Sequence, residues 1–282
     1  TAAVVIASAV QARQIAEGDR TSEQINALLT AEPAAVPNIL ASLAPFQKMV
    51  TPRLSELLDQ DLPEAQLWRV SLGLLPGDTG QLDGLLEYSL SAESDELIVV
   101  RGAMYEHRAA LVGRLWRILE DETTQATRRF NAAAQLAAYD PQGDSAAGAG
   151  WELHAPLVAH ELINRILKRR SSYTLLMDAF RPIGSVLVEP LSVAFGDESL
   201  SDSQQFMAAA LLWDYAGDQP DVVTAMIQEA DLEQFELLCA KLESDGTSVA
   251  ALKEAIQRAP DANVDFDEKL VLDRQQAHVA VA

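Results

Sequence analysis

With 282 residues, the chain is long enough for one elongated repeat array or two compact domains. Apolar residues make up 49% of it, mostly Ala and Leu, and aromatic residues make up only 6%, a mixture that favours helices over strands. The 42 acidic and 21 basic residues leave a net charge of −21, which argues against nucleic acid or an anionic membrane surface as a partner.

Residues 1–20 are predicted to form an N-terminal helix that begins with an apolar run over 1–10. That run is too short to cross a bilayer, which needs about 20 residues. The segment is either the tail of a membrane or juxtamembrane helix or an amphipathic first helix. Thr21 and Gln24 match a capping box, so a domain of helical repeats is predicted over 21–282. Its last helix, 267–282, lacks a stop signal, which predicts truncation at the C-terminus.

A repeat organises the first half of the chain. Residues 25–60 align without a gap on residues 86–121, a shift of 61 positions, and each copy is predicted to hold three helices. The proline positions and apolar spacing place helices at about 37–43, 48–60, 67–75, 82–91, 96–105 and 109–120. The short run 97–100 is β-prone by itself, but the repeat places it on a helix.

A second similarity relates the block from Phe130 to Tyr139 to the block from Phe206 to Tyr215, a shift of 76 positions. Between them, 141–150 is predicted to be a loop without fixed structure. Later helices are predicted at 220–229, 235–242, 249–258 and 267–282. The sequence therefore predicts an all-α protein of about 16 helices, arranged as a HEAT-like right-handed solenoid of stacked helical hairpins.

No catalytic, cofactor-binding or metal-binding residue is predicted. His160 and Glu161 begin a sequence like the HExxH zinc motif, but Asn164 replaces the second histidine, and His154 lies off that helix face. Residues 261–272 lack the glycine and the final glutamate of a calcium loop. The basic cluster 165–170 is interpreted as a solvated helix end, and Cys239 and the four tryptophans as packing residues.

Five segments together resemble an α-helical repeat region of large bacterial multidomain proteins. Those proteins combine a Ser/Thr protein kinase domain with a formylglycine-generating (sulfatase-modifying) type domain. The segments are 129–141, 180–183, 208–216, 230–242 and 273–277. The resemblance implies a helical region that follows a membrane helix and lies outside the inner membrane. Neither enzymatic domain has its motifs here, so the resemblance transfers no catalytic residue.

We therefore expect a non-catalytic scaffold or spacer with a protein-binding face, as a fragment of a larger signalling or modifying protein. The alternative is a ligand-sensing regulatory region attached to a Ser/Thr kinase or formylglycine-generating-type enzyme. The expected partner is another protein or the flanking domains of the same chain. Membrane contact is expected only through a preceding helix.

Overall fold

A computed structural model describes residues 18–145 and 150–230, together with the single positions Gln234 and Leu238. Within those ranges every regular element is helical, which confirms the all-α prediction, whereas the solenoid arrangement stays a prediction. The α-helices are α1 (18–30), α2 (Val36–Leu43), α3 (Gln47–Leu58), α4 (Glu64–Leu74), α5 (Leu82–Ser91), α6 (Ser94–Met104), α7 (Arg108–Glu120), α8 (Ala126–Tyr139), α9 (Trp151–Lys168), α10 (Tyr173–Phe180), α11 (Gly184–Gly196), α12 (Asp202–Ala216) and α13 (Pro220–Glu229).

The predicted helices at 235–242, 249–258 and 267–282 lie outside the described residues. So do Cys239, the calcium-like loop 261–272 and most of the predicted helix 1–20. No helix of the described ranges combines the length and the apolar character needed to cross a membrane. The chain divides into two compact units, Thr1–Gln135 and Leu136–Ala282.

The predicted repeat is present in the structure as a helix, a short 3-10 turn and a second helix. The 3-10 turn occupies Ala44–Phe46 in the first copy and Tyr105–His107, 61 residues later, in the second. A third turn, Arg181–Ile183, follows after a further 76 residues. The helix after each turn is α3, α7 or α11. The shift of 76 therefore extends through a whole repeat, well beyond the block around Phe130.

Equivalent positions of the three copies are buried in the same way. Leu54, Leu115 and Leu191 occupy one position of the second helix, and each is fully buried. The shared burial follows from spacing, because equal helices after equal turns present the same face to their neighbours. The repeat thus predicts core positions as well as helix boundaries.

One arginine position ties the second helix of the repeat to the helix preceding the copy. Arg53 donates to the Ser22 hydroxyl at 2.5 Å and to the Gly18 carbonyl at 2.9 Å. Sixty-one residues later, Arg114 pairs with Asp83 at 2.5 Å. Ser22 and Asp83 are also 61 residues apart, so the contact is repeated although one of its partners changes from a hydroxyl to a carboxylate.

The ends of α1 and α5 are satisfied by side chains from the next helix, again at positions 61 apart. Arg69 donates to the Ala31 carbonyl at 2.8 Å. Asn131, which is fully buried, donates to the carbonyls of Ser89 and Ala92 at 3.0 Å each. Helix ends leave carbonyls without intrahelical donors, so each of these side chains stabilises a buried helix terminus.

In the unit Leu136–Ala282, α11 packs against both α9 and α12. Two tyrosines join α10 to α12: Tyr173 donates to Asp214 at 2.5 Å, and Tyr215 donates to the Met177 carbonyl at 2.9 Å. Burial raises the pKa of the Tyr173 hydroxyl, and the hydrogen bond to Asp214 raises it further. The phenol therefore stays protonated and acts as a structural donor.

Three predictions are corrected. Thr21 does not begin a helix, because α1 already includes residue 18 and Thr21 is buried within it. The capping box lies instead at the start of α12, between Ser201 and Gln204. Phe206, aligned with the buried Phe130, is 38% exposed.

The third correction concerns the loop 141–150, whose described part has defined contacts. The Asp140 carboxylate accepts from the amides of Asp144 and Ser145, and its carbonyl accepts from Trp151 Nε1 at 3.1 Å. Gly143 and Gly150 have φ values of 73° and 63°, which favour glycine at both positions.

Candidate functional site

A groove of about 680 Å³ lies between α9 and α11 in the unit Leu136–Ala282. Each wall is one stripe of a helix, with residues spaced alternately by three and one positions. The α9 wall consists of Glu152, Ala155, Pro156, Ala159, His160 and Ile163, and the α11 wall of Ser185, Val186, Glu189, Pro190, Val193 and Ala194. Asp197, Leu200 and Gln204 complete the lining.

His160, which the sequence analysis singled out, lies on the α9 wall. Asn164 Nδ2 donates to His160 Nε2 at 2.9 Å, and Asn164 Oδ1 accepts from Gln204 Nε2 at 3.0 Å. Gln204 is held in turn by its capping box with Ser201. This chain of hydrogen bonds orients the imidazole from the start of α12, so Asn164 serves as a connector where a zinc motif would have a ligand.

The other residues of the HExxH-like motif do not converge on His160. Glu161 lies 3.8 Å from Arg165 on the same helix, and neither residue lines the groove. His154 is buried, at 5% exposure. No group of three His, Cys, Asp or Glu side chains that could hold a metal ion occurs in the part of the chain that the structure describes.

The groove carries negative charge over an apolar surface. Its lining includes three carboxylates, Glu152, Glu189 and Asp197, and contains no Lys or Arg. Hydrogen bonds from the hydroxyl and amide of Ser199 hold the pKa of Asp197 below its usual value, so this group is ionised at neutral pH. Val193, at 66% exposure, is among the most exposed large apolar residues of the described chain.

A second groove, of about 780 Å³, lies in the unit Thr1–Gln135 and is almost wholly apolar. Residues of α2, α3, α4 and α6 line it, and its only ionisable groups are Glu106 and His107. It has therefore shape and hydrophobicity but little to select a partner by charge.

A smaller cavity of about 340 Å³ in the same unit contains two aromatic side chains. The rings of Trp68 and Tyr88 stack with centroids 5.7 Å apart, and the Arg69 guanidinium lies 4.5 Å from the centre of the Trp68 ring. Tyr88 donates to Glu96 at 2.6 Å, and burial together with that bond raises the pKa of its hydroxyl. The buried Trp68 Nε1–H has no protein acceptor.

The basic cluster lies at the end of α9, as the sequence predicted. Lys168, Arg169 and Arg170 are exposed there. Ser172 is 5% exposed, so the hydroxyl of this candidate phosphorylation site is not accessible in the folded chain. All four tryptophans are buried, which agrees with their predicted role in packing.

Comparison of the chain with protein-family models, curated proteins and solved structures gives no match. The functional argument therefore depends on the described residues alone.

Sequence reasoning found His160 but missed the groove around it. The α9 stripe could have been read from its spacing, since 152, 155, 156, 159, 160 and 163 follow a helical period. Its α11 counterpart could not be assigned to the same site, because the two stripes are separated by α10 in sequence and are brought together only by packing.

Proposed function

We propose that the chain is a non-catalytic helical-repeat scaffold that binds a protein segment. The observation that carries this proposal is the groove between α9 and α11, which combines an apolar surface with three carboxylates. Grooves of this kind between repeat helices are a common mode of peptide recognition. The resemblance to helical regions of kinase and formylglycine-type proteins adds a proposed context, in which the scaffold separates two domains of a longer chain.

The test is affinity capture in lysate of the source organism, with three baits: the chain, Leu115→Asp and Ala194→Trp. Leu115→Asp places a charge at a fully buried position and serves as the misfolded control. Ala194→Trp places a large side chain in the groove. We expect proteins that bind the chain and are lost with both variants. A chain that retains no protein beyond those on the misfolded control would contradict a binding role and favour a passive spacer.

A ligand-sensing region is the second candidate, and the cavity at Trp68 favours it. A small molecule with a hydrogen-bond acceptor would satisfy the buried Trp68 Nε1–H there. A melting-temperature screen of small amides and carboxamides would test this candidate. Trp68→Phe is the matched control, because it keeps a ring and removes the donor. A compound that stabilises both proteins equally would argue against sensing at this site.

A further inference from the structure

We propose that the occupant of the α9/α11 groove is an amphipathic helix of about three turns, with an apolar stripe flanked by Lys or Arg. This inference rests on the proposed protein-binding function and names the partner's chemistry. It is carried by the length of the groove, its charge and its two wall prolines.

The dimensions of the walls fit a short helix. The α9 stripe runs from Glu152 to Ile163 and spans about 17 Å at ~1.5 Å per residue, and the α11 stripe from Ser185 to Ala194 spans about 14 Å. An α-helix of three turns is about 16 Å long. The small side chains of Ala155, Ala159 and Ala194 let the apolar stripe of such a helix come close to the walls.

One end of the groove is closed. Gln204 Nε2 bonds Asn164, which follows the α9 stripe, and Gln205 Nε2 donates to the Asp197 carbonyl at 2.7 Å, just after α11. The C-terminal ends of both walls therefore meet the start of α12. A helix longer than about three turns would have to extend from the opposite end.

The charge of the groove selects a cationic occupant. Glu152 and Glu189 are exposed on opposite walls, Asp197 lies at the closed end, and no Lys or Arg compensates them among the lining residues. An acidic segment would meet three like charges. A second copy of this chain is disfavoured as occupant, because each copy carries a net charge of −21.

A proline on each wall adds hydrogen-bond acceptors. Pro156 and Pro190 lie inside their helices and have no N–H, so the carbonyls of Glu152 and Val186, four residues earlier, lack their usual intrahelical donors. Both of these residues line the groove. Lys and Arg side chains supply donors and no acceptors, so they complement carbonyls and carboxylates alike.

The experiment measures the binding of labelled synthetic 14-residue peptides to the full chain by fluorescence anisotropy. The first peptide has Leu at helical spacing and Lys on both flanks. The second replaces each Lys by Glu, and the third scrambles the first so that it has no apolar stripe. We expect the first to bind at least about tenfold more tightly than either of the others, since a tenfold ratio needs only about 1.4 kcal/mol.

Two double variants locate the site. Glu152→Gln with Glu189→Gln should weaken the first peptide by about tenfold, because it removes a charge from each wall. Glu56→Gln with Glu122→Gln removes two exposed carboxylates from the other unit and should change affinity by less than about twofold. Equal weakening by both pairs would mean non-specific attraction to an acidic protein and would overturn the proposal.

Other outcomes separate this inference from the proposed function. If captured partners persist with Ala194→Trp while the lysine peptide fails to bind, the scaffold role stands and this groove is not its site. Equal binding of the glutamate or the scrambled peptide would overturn the assigned chemistry. A concentration-dependent dimer in sedimentation, lost in Ala194→Trp, would make a second copy the occupant and would also overturn it.

Discussion

Gly73→Ala and Gly113→Ala each add one methyl group to a helix of the unit Thr1–Gln135, and the structure predicts opposite effects on stability. At Gly73, next to last in α4, the new Cβ would overlap Cδ1 of Leu54 and lie 3.7 Å from Leu28 Cδ2. At Gly113, inside α7, it would meet no neighbouring atom within 4 Å. The same chemical change thus enters a packed helix contact in one variant and open space in the other.

The magnitudes follow from two terms. Replacing a helical glycine by alanine stabilises by about 0.5–1 kcal/mol, because alanine loses less conformational freedom on folding. Overpacking a core costs about 1–3 kcal/mol. Leu54 and Leu28 are fully buried, so neither side chain can move aside without disturbing its own contacts. We expect Gly73→Ala to lose roughly 1–2 kcal/mol and Gly113→Ala to gain up to about 1 kcal/mol.

Urea unfolding followed by circular dichroism at 222 nm measures both variants against the unmodified chain. With a slope of about 1–3 kcal/mol per molar urea, the two midpoints should differ by roughly 1 M and lie on opposite sides of the parent. Two midpoints shifted in the same direction would refute the reasoning, since the packing of α4 against Leu54 would then have no measurable weight.

The remaining predictions concern single side chains. Leu115→Asp should unfold its unit, with a loss above about 4 kcal/mol from a buried, unpaired charge, and a far-ultraviolet spectrum of native intensity would contradict this. His160→Ala should change stability by less than about 0.5 kcal/mol because the residue is exposed, and a large fall in melting temperature would count against it. Asn131→Ala should cost about 2–4 kcal/mol through two buried hydrogen bonds at the end of α5, whereas the exposed Asn26→Ala should be near neutral in the same urea titration. A hydrogen bond from its arginine partner lowers the pKa of Glu87, so this pair contributes at neutral pH and is lost as pH falls below about 4.5 through the lowered pKa; Glu87→Gln should make acid unfolding slightly less steep, by under about 1 kcal/mol, and an unchanged acid limb would show that the pair contributes nothing.

The sequence by itself determined the helical class and most helix boundaries. Pro220 begins α13, Pro63 immediately precedes α4, and the β-prone run 97–100 is helical as the repeat required. These features are local, because propensity, proline geometry and apolar period act within a few turns of chain. The 61-residue repeat added core positions such as Leu54 and Leu115, since it compares two copies that fold alike.

Tertiary structure decided what the side chains touch. A capping pattern at Thr21 is indistinguishable in sequence from the one at Ser201, yet packing buries the first inside α1 and leaves the second to begin α12. Asn131 and Arg69 have no common motif, but each reaches the end of an equivalent helix. The α9/α11 groove is of the same kind, because its two walls are joined by contacts between distant segments, and short-range patterns carry no information about which distant faces will meet.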